Sequence, residues 1–297
     1  MIRLRRSRSK TDIHFNFYGG NKRTFEKELL INQKRIRRGE IAKHTFNSNC
    51  WKPAKNQLLA ETGGKCAYCE APVSAVAFGD VEHYRPKSSY WWLAYCYDNY
   101  VASCQLCNQS FKRDAFPIQN RKMTSPEIQW NTPDNFIDAK AGTIAPDPLN
   151  TNQVNDFIRQ HQQERPLLLN PYFDEPTQYF AWRADEVIRE VEITPNSENF
   201  QVEVIINTEN PEVVEPIAAA SIAYYGLNRM ELKGRRYETY HKYKILRGTL
   251  ENELISSETR NDIINAIKSM KAPGAEYAGM IRYFDAPFYS KEYQIAT

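Results

Sequence analysis

The sequence of 297 residues lacks the features that define several large classes of protein. It contains no run of about 18 apolar residues, which excludes a membrane-spanning helix. Its first residues, MIRLRRSRSK, lack the apolar stretch of a secretory signal, so we expect a cytoplasmic protein without a membrane partner. The arginines and serines there resemble an organellar transit peptide, but Phe, Asp and Glu soon interrupt that pattern.

Cysteine is scarce, and a phosphate-binding loop is missing. No GxxxxGK(S/T) motif occurs, so the chain is not expected to hydrolyse ATP by itself. Of six cysteines, four fall into two Cys-x-x-Cys pairs, a spacing that indicates metal binding before disulfides in a chain without an export signal. Cys50 and Cys96 have no such partner and are expected to be buried free thiols.

The charges are unevenly distributed along the chain. The formal net charge is only +3, but residues 1–60 hold 15 Lys or Arg against 4 Asp or Glu, a net of +11. The remaining residues carry a net of −8. The basic N-terminal region is therefore the expected contact for nucleic acid or for an acidic partner.

The pattern along the chain predicts an α+β protein with three regions. Residues 1–60 form a basic helical N-terminal arm, with one helix over 24–45 and a second from Pro53 to Gly63. Residues 61–118 form a compact metal-organised core. Region 119–297 is loop-rich where prolines crowd 117–176, and then mostly helical over 211–255 and 258–271. Alternating residues over 186–206 predict a β-hairpin that turns at TPNSEN.

The two Cys-x-x-Cys pairs are separated by 34 residues and can supply four thiolates to one tetrahedral zinc ion: Cys66, Cys69, Cys104 and Cys107. Such a site has no open position for a substrate, so the zinc would be structural. Redox-active thiols are the alternative. A zinc ion would bring the segment between the pairs close to Asn108.

Oxygen ligands and a histidine lie in that segment. The Glu82 carboxylate and the Asn108 amide oxygen could bind a catalytic divalent ion, Mg²⁺ or Mn²⁺, which prefers oxygen. A neutral imidazole can accept a proton from water, so His83 is the candidate general base for attack on phosphorus. These residue types predict phosphodiester hydrolysis.

The order CxxC, then (D/E)-H-x-x-P, then N-x₈-N with CxxC before the last Asn resembles the zinc-containing HNH (ββα-metal) endonucleases. The resemblance implies that His83 is the base, that Asn99 supports the loop carrying it, and that Glu82 and Asn108 bind the catalytic metal. It also implies a central ββα-metal unit held together by the four-cysteine zinc. Glu in place of the commoner Asp, and Asn in place of the last His, are departures from the motif.

Other segments resemble a narrower group. EHYRPKS, ERPLLLNPYFDEP and SIAYYGLNRMELKGRR are similar to the anti-phage HNH effectors of the PtuB type, found in Septu and some retron defence systems. That resemblance implies a separate ATPase partner of the PtuA type. A non-catalytic zinc module that binds nucleic acid or a partner protein is the alternative function.

Basic residues beside the motif could contact phosphates of a DNA or RNA substrate: Arg85, Lys87, Lys112 and Arg113. DNA is the favoured substrate, although the motif does not distinguish it from RNA, including tRNA. A basic, Tyr-rich stretch over 224–247 could also stack on bases. We favour instead a helix with its tyrosines packed inward and its lysines outward.

Overall fold

The computed structural model describes residues 1–73, 79–196 and 216–293. It mixes helices with two small sheets, each an antiparallel pair, which agrees with the predicted α+β class. The strands are β1 (Asp80–His83), β2 (Tyr100–Ser103), β3 (Phe180–Asp185) and β4 (Glu190–Pro195). The helices are α1 (Gly19–Arg37), α2 (Lys55–Thr62), α3 (Asp134–Lys140), α4 (Thr151–Glu164), α5 (Pro176–Tyr179), α6 (Pro216–Tyr224), α7 (Met230–Leu250), α8 (Ser257–Met270) and α9 (Ala278–Tyr293). None of the described helices is long and apolar enough to cross a membrane.

Two compact units make up the chain. The site unit comprises Arg5–Glu61 and Gly79–Leu167. The terminal unit comprises Met1–Leu4, Thr62–Phe78 and Leu168–Thr297. The division into regions 1–60, 61–118 and 119–297 stays a prediction.

The site unit is organised around the β1–β2 hairpin. Strand β2 is buried along its whole length, and its Tyr100 and Ala102 join an apolar cluster with Phe17 and Leu58. The ring centroids of Phe17 and Tyr100 lie 5.7 Å apart in an edge-to-face arrangement. Burial of this hydrophobic cluster anchors β2, and with it the hairpin, in the site unit.

In the terminal unit, the β3–β4 hairpin packs with helices. The side chain of Asn228 forms two hydrogen bonds with the backbone of β4. Its amide accepts one of 2.8 Å from the Ile193 nitrogen and donates one of 2.7 Å to the Ile193 oxygen. A Cβ at Gly63, where φ is +65°, would lie 2.5 Å from the Cα of Gly274. Glycine is therefore required for this close backbone approach.

The first residues of the predicted N-terminal arm pack into the terminal unit. Met1, Ile2 and Leu4 are buried, and the Leu4 nitrogen donates a hydrogen bond of 2.8 Å to the Pro171 oxygen. At least eight of the fifteen basic side chains in residues 1–60 lie within ion-pair distance of a carboxylate: Arg3, Arg6, Arg8, Lys22, Lys27, Lys34, Arg35 and Arg38. Acidic residues thus compensate much of the charge that suggested a nucleic-acid contact.

The proline-rich region contains more helix than predicted. Helix α4 has 14 residues and fits between Pro148 and Pro166. Its N-cap is Asn150, whose side chain accepts hydrogen bonds from two backbone N–H groups of the first turn. Prolines that flank a helix do not interrupt it. The Asn before the helical stretch is the signal in the sequence that indicates where α4 begins.

Helices α6, α7 and α8 form in the stretches predicted to be helical, and the chain breaks between α6 and α7 at Gly226, where φ is +59°. A hairpin is present with its turn at 186–189, between β3 and β4, whereas most of the turn predicted at TPNSEN lies outside the described residues. The second predicted strand, 200–206, lies outside the described residues. Tyr237 and Tyr243 of α7 are buried, which confirms the inward-packing interpretation for these two tyrosines.

Candidate active site

The β1–β2 hairpin and the turn of helix that follows it position the three residues with predicted catalytic roles. The strand register pairs Glu82 with Val101 and His83 with Tyr100. The short π-helix Leu106–Lys112 carries Asn108. Glu82, His83 and Asn108 line one cavity of about 540 Å³ within the site unit. Residues as many as 26 positions apart in the sequence therefore share one cavity.

A backbone carbonyl holds the His83 imidazole in one orientation. Nε2 lies 2.9 Å from the Ala94 oxygen, which also accepts a hydrogen bond of 2.8 Å from the Tyr100 hydroxyl. Because a carbonyl oxygen can only accept, Nε2 carries the proton and Nδ1 is the unprotonated nitrogen. Trp51 and Tyr100 pack edge-on against the imidazole, with ring centroids 5.0 and 5.1 Å away. Nδ1 is thus the nitrogen that remains able to accept a proton.

The electrostatic surroundings keep His83 neutral. Burial lowers the pKa of His83 to about 3, and the positive charges of Lys87 and Lys112 act in the same direction. The Ala94 hydrogen bond opposes this only in part. The imidazole is therefore uncharged at pH 7, as a proton acceptor must be.

The Glu82 carboxylate is buried beside a lysine. Its Oε1 lies 2.5 Å from Lys112 Nζ, and neither side chain is more than 6% exposed. The Lys112 ammonium is thus the counter-charge of this buried carboxylate. Burial raises the pKa of Glu82 and outweighs the opposing effect of Lys112.

Asn108 is oriented by an aspartate that the sequence analysis did not assign. Its Nδ2 donates a hydrogen bond of 3.1 Å to Asp80 Oδ2, which also accepts one of 2.9 Å from Gln109 Nε2. An ionised carboxylate only accepts, so Asp80 fixes the amide with its nitrogen toward β1. The amide oxygen is then the atom available as a cation ligand.

The side chain of Asn99 is hydrogen-bonded to the backbone of the loop that follows His83. Its Oδ1 accepts a hydrogen bond of 2.8 Å from the Arg85 nitrogen, and its Nδ2 donates to the oxygens of Arg85 and Leu93 at 2.9 and 3.3 Å. The side chain is fully buried. Asn99 therefore ties the loop after β1 to the segment before β2.

Two of the four residues with predicted phosphate contacts occupy different positions. Arg85 and Lys112 are fully buried, and their charges face Glu164 and Glu82 at 2.8 and 2.5 Å. Both charges are thus engaged inside the protein, and a phosphate contact for Arg85 and Lys112 stays a prediction. Lys87 and Arg113 do line the cavity, and Lys87 Nζ lies 5.6 Å from the centre of the Trp51 ring.

The Arg85–Glu164 pair connects the loop after His83 to α4, and we expect its loss to destabilise the site unit. Tyr90 and the Met123 nitrogen also donate to Glu164, at 2.6 and 2.9 Å. Glu164→Gln would leave Arg85 buried without a counter-charge, which should lower the free energy of unfolding by about 3–5 kcal/mol. Urea denaturation followed by tryptophan fluorescence measures this value.

Asp156→Asn provides the matched control for Glu164→Gln, because Asp156 lies on the same helix and forms an exposed ion pair with Arg159. Its loss should cost about 0.5 kcal/mol or less. An equal effect of the two substitutions would show that the buried pair has no special role.

The four cysteines of the predicted zinc site lie together. The Sγ atoms of Cys66, Cys69, Cys104 and Cys107 are all within 4.8 Å of one another. A tetrahedral zinc ion with Zn–S bonds of ~2.3 Å places its sulfurs about 3.8 Å apart, so four cysteines this close together could bind a metal ion such as zinc. The remaining cysteines, Cys50 and Cys96, are buried free thiols as expected, and burial raises the pKa of Cys50 to about 11.

Three contributors to the site escaped the sequence analysis: the Ala94 carbonyl, Asp80 and Trp51. Every residue has a backbone carbonyl, so the role of the Ala94 carbonyl cannot be predicted from the type of residue that carries it. Trp51 lies 32 positions before His83 and carries no motif. Asp80 could have been found, because it lies two residues before Glu82 on the same strand and alternate residues of a strand share a face.

Comparisons with known proteins give partial matches. The chain is 38% identical over 79 residues to Septu protein PtuB of Bacillus mycoides (strain KBAB4), covering 22% of this chain and 27% of that protein. It is 27% identical over 158 residues to Septu protein PtuB of Bacillus thuringiensis, covering 49% of this chain and 57% of that protein. The chain thus spans between a quarter and three fifths of the length of these relatives. No family profile and no solved structure matches. Over the matched stretches, the chain is similar to Septu PtuB proteins.

Proposed function

We propose that the protein is a metal-dependent endonuclease of the HNH type that hydrolyses phosphodiester bonds of nucleic acid in anti-phage defence. The observation that carries the proposal is the shared cavity of Glu82, His83 and Asn108. It is supported by the order of elements, two antiparallel strands followed by a short helix, which is the order that the HNH resemblance implies.

The donor atoms fit a catalytic divalent ion. Glu82 supplies a buried carboxylate, which faces the Lys112 ammonium, and Asp80 leaves the amide oxygen of Asn108 unused. Mg²⁺ and Mn²⁺ bind such oxygens and retain several waters. When bound, the ion would act as a Lewis acid on the phosphate and stabilise the leaving 3′-oxygen.

His83 would act as the general base in this reaction. Its Nδ1 accepts a proton from the attacking water while Nε2 stays bonded to the Ala94 oxygen. Ala94 thereby both sets the tautomer and stabilises the imidazolium that forms. Asn99 maintains the loop geometry, and Lys87 and Arg113 at the cavity wall are placed to contact flanking phosphates.

The four-cysteine cluster would hold a structural zinc ion. Zinc bound by four thiolates has no open position, so it takes no part in the chemistry and fixes the ends of the segment that carries Glu82 and His83. The anti-phage role rests on the similarity to Septu PtuB proteins, and an ATPase partner of the PtuA type rests on the family resemblance.

A cleavage assay tests the proposal. The full-length, zinc-loaded protein is incubated with supercoiled plasmid, single-stranded DNA and structured RNA, with and without a co-expressed ATPase, in Mg²⁺, in Mn²⁺ and in EDTA. We expect strand scission of at least one substrate that requires the divalent ion. Intact, zinc-loaded protein that cuts none of them under any condition would contradict the proposal.

A non-catalytic zinc module is the second candidate, and one observation favours it. The Lys112 ammonium already faces Glu82 at 2.5 Å, which is the arrangement of a structural ion pair. This candidate predicts nucleic-acid binding that weakens steeply with salt and is not followed by scission.

A further inference from the structure

One buried lysine connects the elements that carry the candidate active site. Lys112 is the last residue of the π-helix Leu106–Lys112, and its side chain is fully buried. Its Nζ lies 2.5 Å from Glu82 Oε1 and donates hydrogen bonds to the backbone oxygens of His83 and Arg113 at 3.2 and 3.5 Å. An ammonium has three hydrogens and no acceptor, so each hydrogen can face one of these three oxygens.

The surroundings of this ammonium are those that a divalent ion also prefers. Mg²⁺ and Mn²⁺ bind carboxylate and carbonyl oxygens, the same kinds of atom that surround Lys112 Nζ. Glu82 lines the cavity of about 540 Å³, whereas Lys112 lies behind it in the interior of the site unit. One carboxylate is therefore both the counter-charge of a buried ammonium and the proposed ligand of an ion that enters from the cavity.

Two cations close to one carboxylate repel each other. At the effective dielectric constant of a protein, the repulsion between a unit charge and a divalent ion a few ångströms apart exceeds the thermal energy several-fold. We propose that Lys112 is a positioning residue, the resident counter-cation of the candidate metal site: it holds the Glu82 carboxylate in place when no divalent ion is bound, and it lowers the affinity of the site for that ion. This rests on the proposed function, which assigns the ion to Glu82 and Asn108. Metal loading is then restrained by a residue of the chain itself.

The site unit contains a second buried lysine of similar design outside this cavity. Lys22 Nζ lies 2.6 Å from Glu26 Oε1 and donates hydrogen bonds of 2.8 Å to the backbone oxygens of Gly142 and Ala145. Its side chain is 4% exposed, and neither member of the pair lines the cavity that contains His83. Lys22 is therefore the matched reference for what such a lysine contributes to stability alone.

Mn²⁺ binding tests the inference. The zinc-loaded, full-length parent and its Lys112→Met and Lys22→Met variants are titrated with Mn²⁺ without nucleic acid, with free Mn²⁺ measured by electron paramagnetic resonance. Urea denaturation of each protein is followed in EDTA and in saturating Mn²⁺. Both substitutions should lower the urea midpoint in EDTA, because each leaves a buried carboxylate without its counter-charge. Only Lys112→Met should bind Mn²⁺ more tightly than the parent, by about tenfold or more, and only there should Mn²⁺ restore most of the lost stability.

Three results would overturn the inference. The first is a Lys112→Met protein that binds Mn²⁺ no more tightly than the parent. The second is a Lys112→Met protein that is unfolded both in EDTA and in saturating Mn²⁺, because the ion then does not replace the ammonium. The third is an equal gain of affinity in Lys87→Met, which removes a charge from the wall of the same cavity and would show that the contact with Glu82 is not decisive.

Failure of the proposed function gives a different result. If neither the folded parent nor the folded Lys112→Met protein binds Mn²⁺, the metal site itself is absent, and both proposals fall. If both proteins bind Mn²⁺ with equal affinity, this inference alone falls. If Lys112→Met binds Mn²⁺ more tightly but no substrate is cut, the inference holds and the nuclease activity falls.

Discussion

Replacement of His83 by alanine is expected to reduce strand scission by about 10²–10⁴-fold, the range that a positioned general base contributes. The physical reason is that Nδ1 is the only nitrogen of this imidazole free to accept a proton, since Nε2 is bonded to the Ala94 oxygen. Zinc content and the far-ultraviolet circular dichroism spectrum should stay at parent values. Initial rates on the preferred substrate at saturating Mn²⁺ measure the effect.

His241→Ala is the control for His83→Ala, because His241 is exposed on α7 and stacks on Tyr237 at 5.8 Å. It should cut at the parent rate. Scission by the His83 variant at the parent rate, with zinc bound and the fold intact, would contradict the assigned role of His83. Loss of zinc from this variant would instead point to a structural role.

Replacement of Cys107 by serine is expected to have the largest effect on stability. Binding of a structural zinc ion can contribute on the order of 10 kcal/mol, which is comparable to the whole free energy of unfolding of a typical domain. The Cys107 sulfur belongs to the cluster and its side chain is fully buried. We therefore expect a Cys107→Ser protein that lacks zinc and is largely unfolded at 25 °C, as measured by metal analysis and circular dichroism.

Cys50→Ala separates the loss of a zinc ligand from the loss of a buried thiol. Cys50 is as buried as Cys107 but lies outside the cluster. Its substitution should cost only the ~1 kcal/mol typical of a point mutation and should leave one zinc ion per chain. Equal zinc content in the Cys50 and Cys107 variants would refute the four-cysteine site.

The sequence predicts the cysteine cluster well because its determinants are local. Each Cys-x-x-Cys pair brings two thiols together within one turn, so only the meeting of the two pairs depends on the tertiary fold. The cavity that joins Glu82, His83 and Asn108 agrees with the motif for the same reason, since β1, β2 and the turn after them form one continuous segment. Their roles in catalysis stay predictions.

Local sequence patterns are least informative where distant residues decide the surroundings of a side chain. Arg85 looks like a phosphate contact because Glu164, its partner, lies 79 positions away. The positive charge of residues 1–60 looks unopposed because its carboxylates, Asp134 and Asp138 among them, come from other regions. The turn at 186–189 is not predicted because Val187 and Ile188 resemble strand residues, although they are 91% and 63% exposed there. Ion pairs between residues far apart in the sequence cannot be predicted, because no pattern in the local sequence indicates them.

The most direct test of the central claim is the scission rate of the zinc-loaded protein across a Mn²⁺ titration, with Mn²⁺ binding measured in parallel by electron paramagnetic resonance. We expect the parent to bind one Mn²⁺ per chain and to cut in proportion to that occupancy, and Glu82→Gln to lose both while keeping its zinc. Scission that is independent of Mn²⁺ and Mg²⁺, or Mn²⁺ binding that is unaffected by Glu82→Gln, would contradict a metal-dependent site built on Glu82, His83 and Asn108.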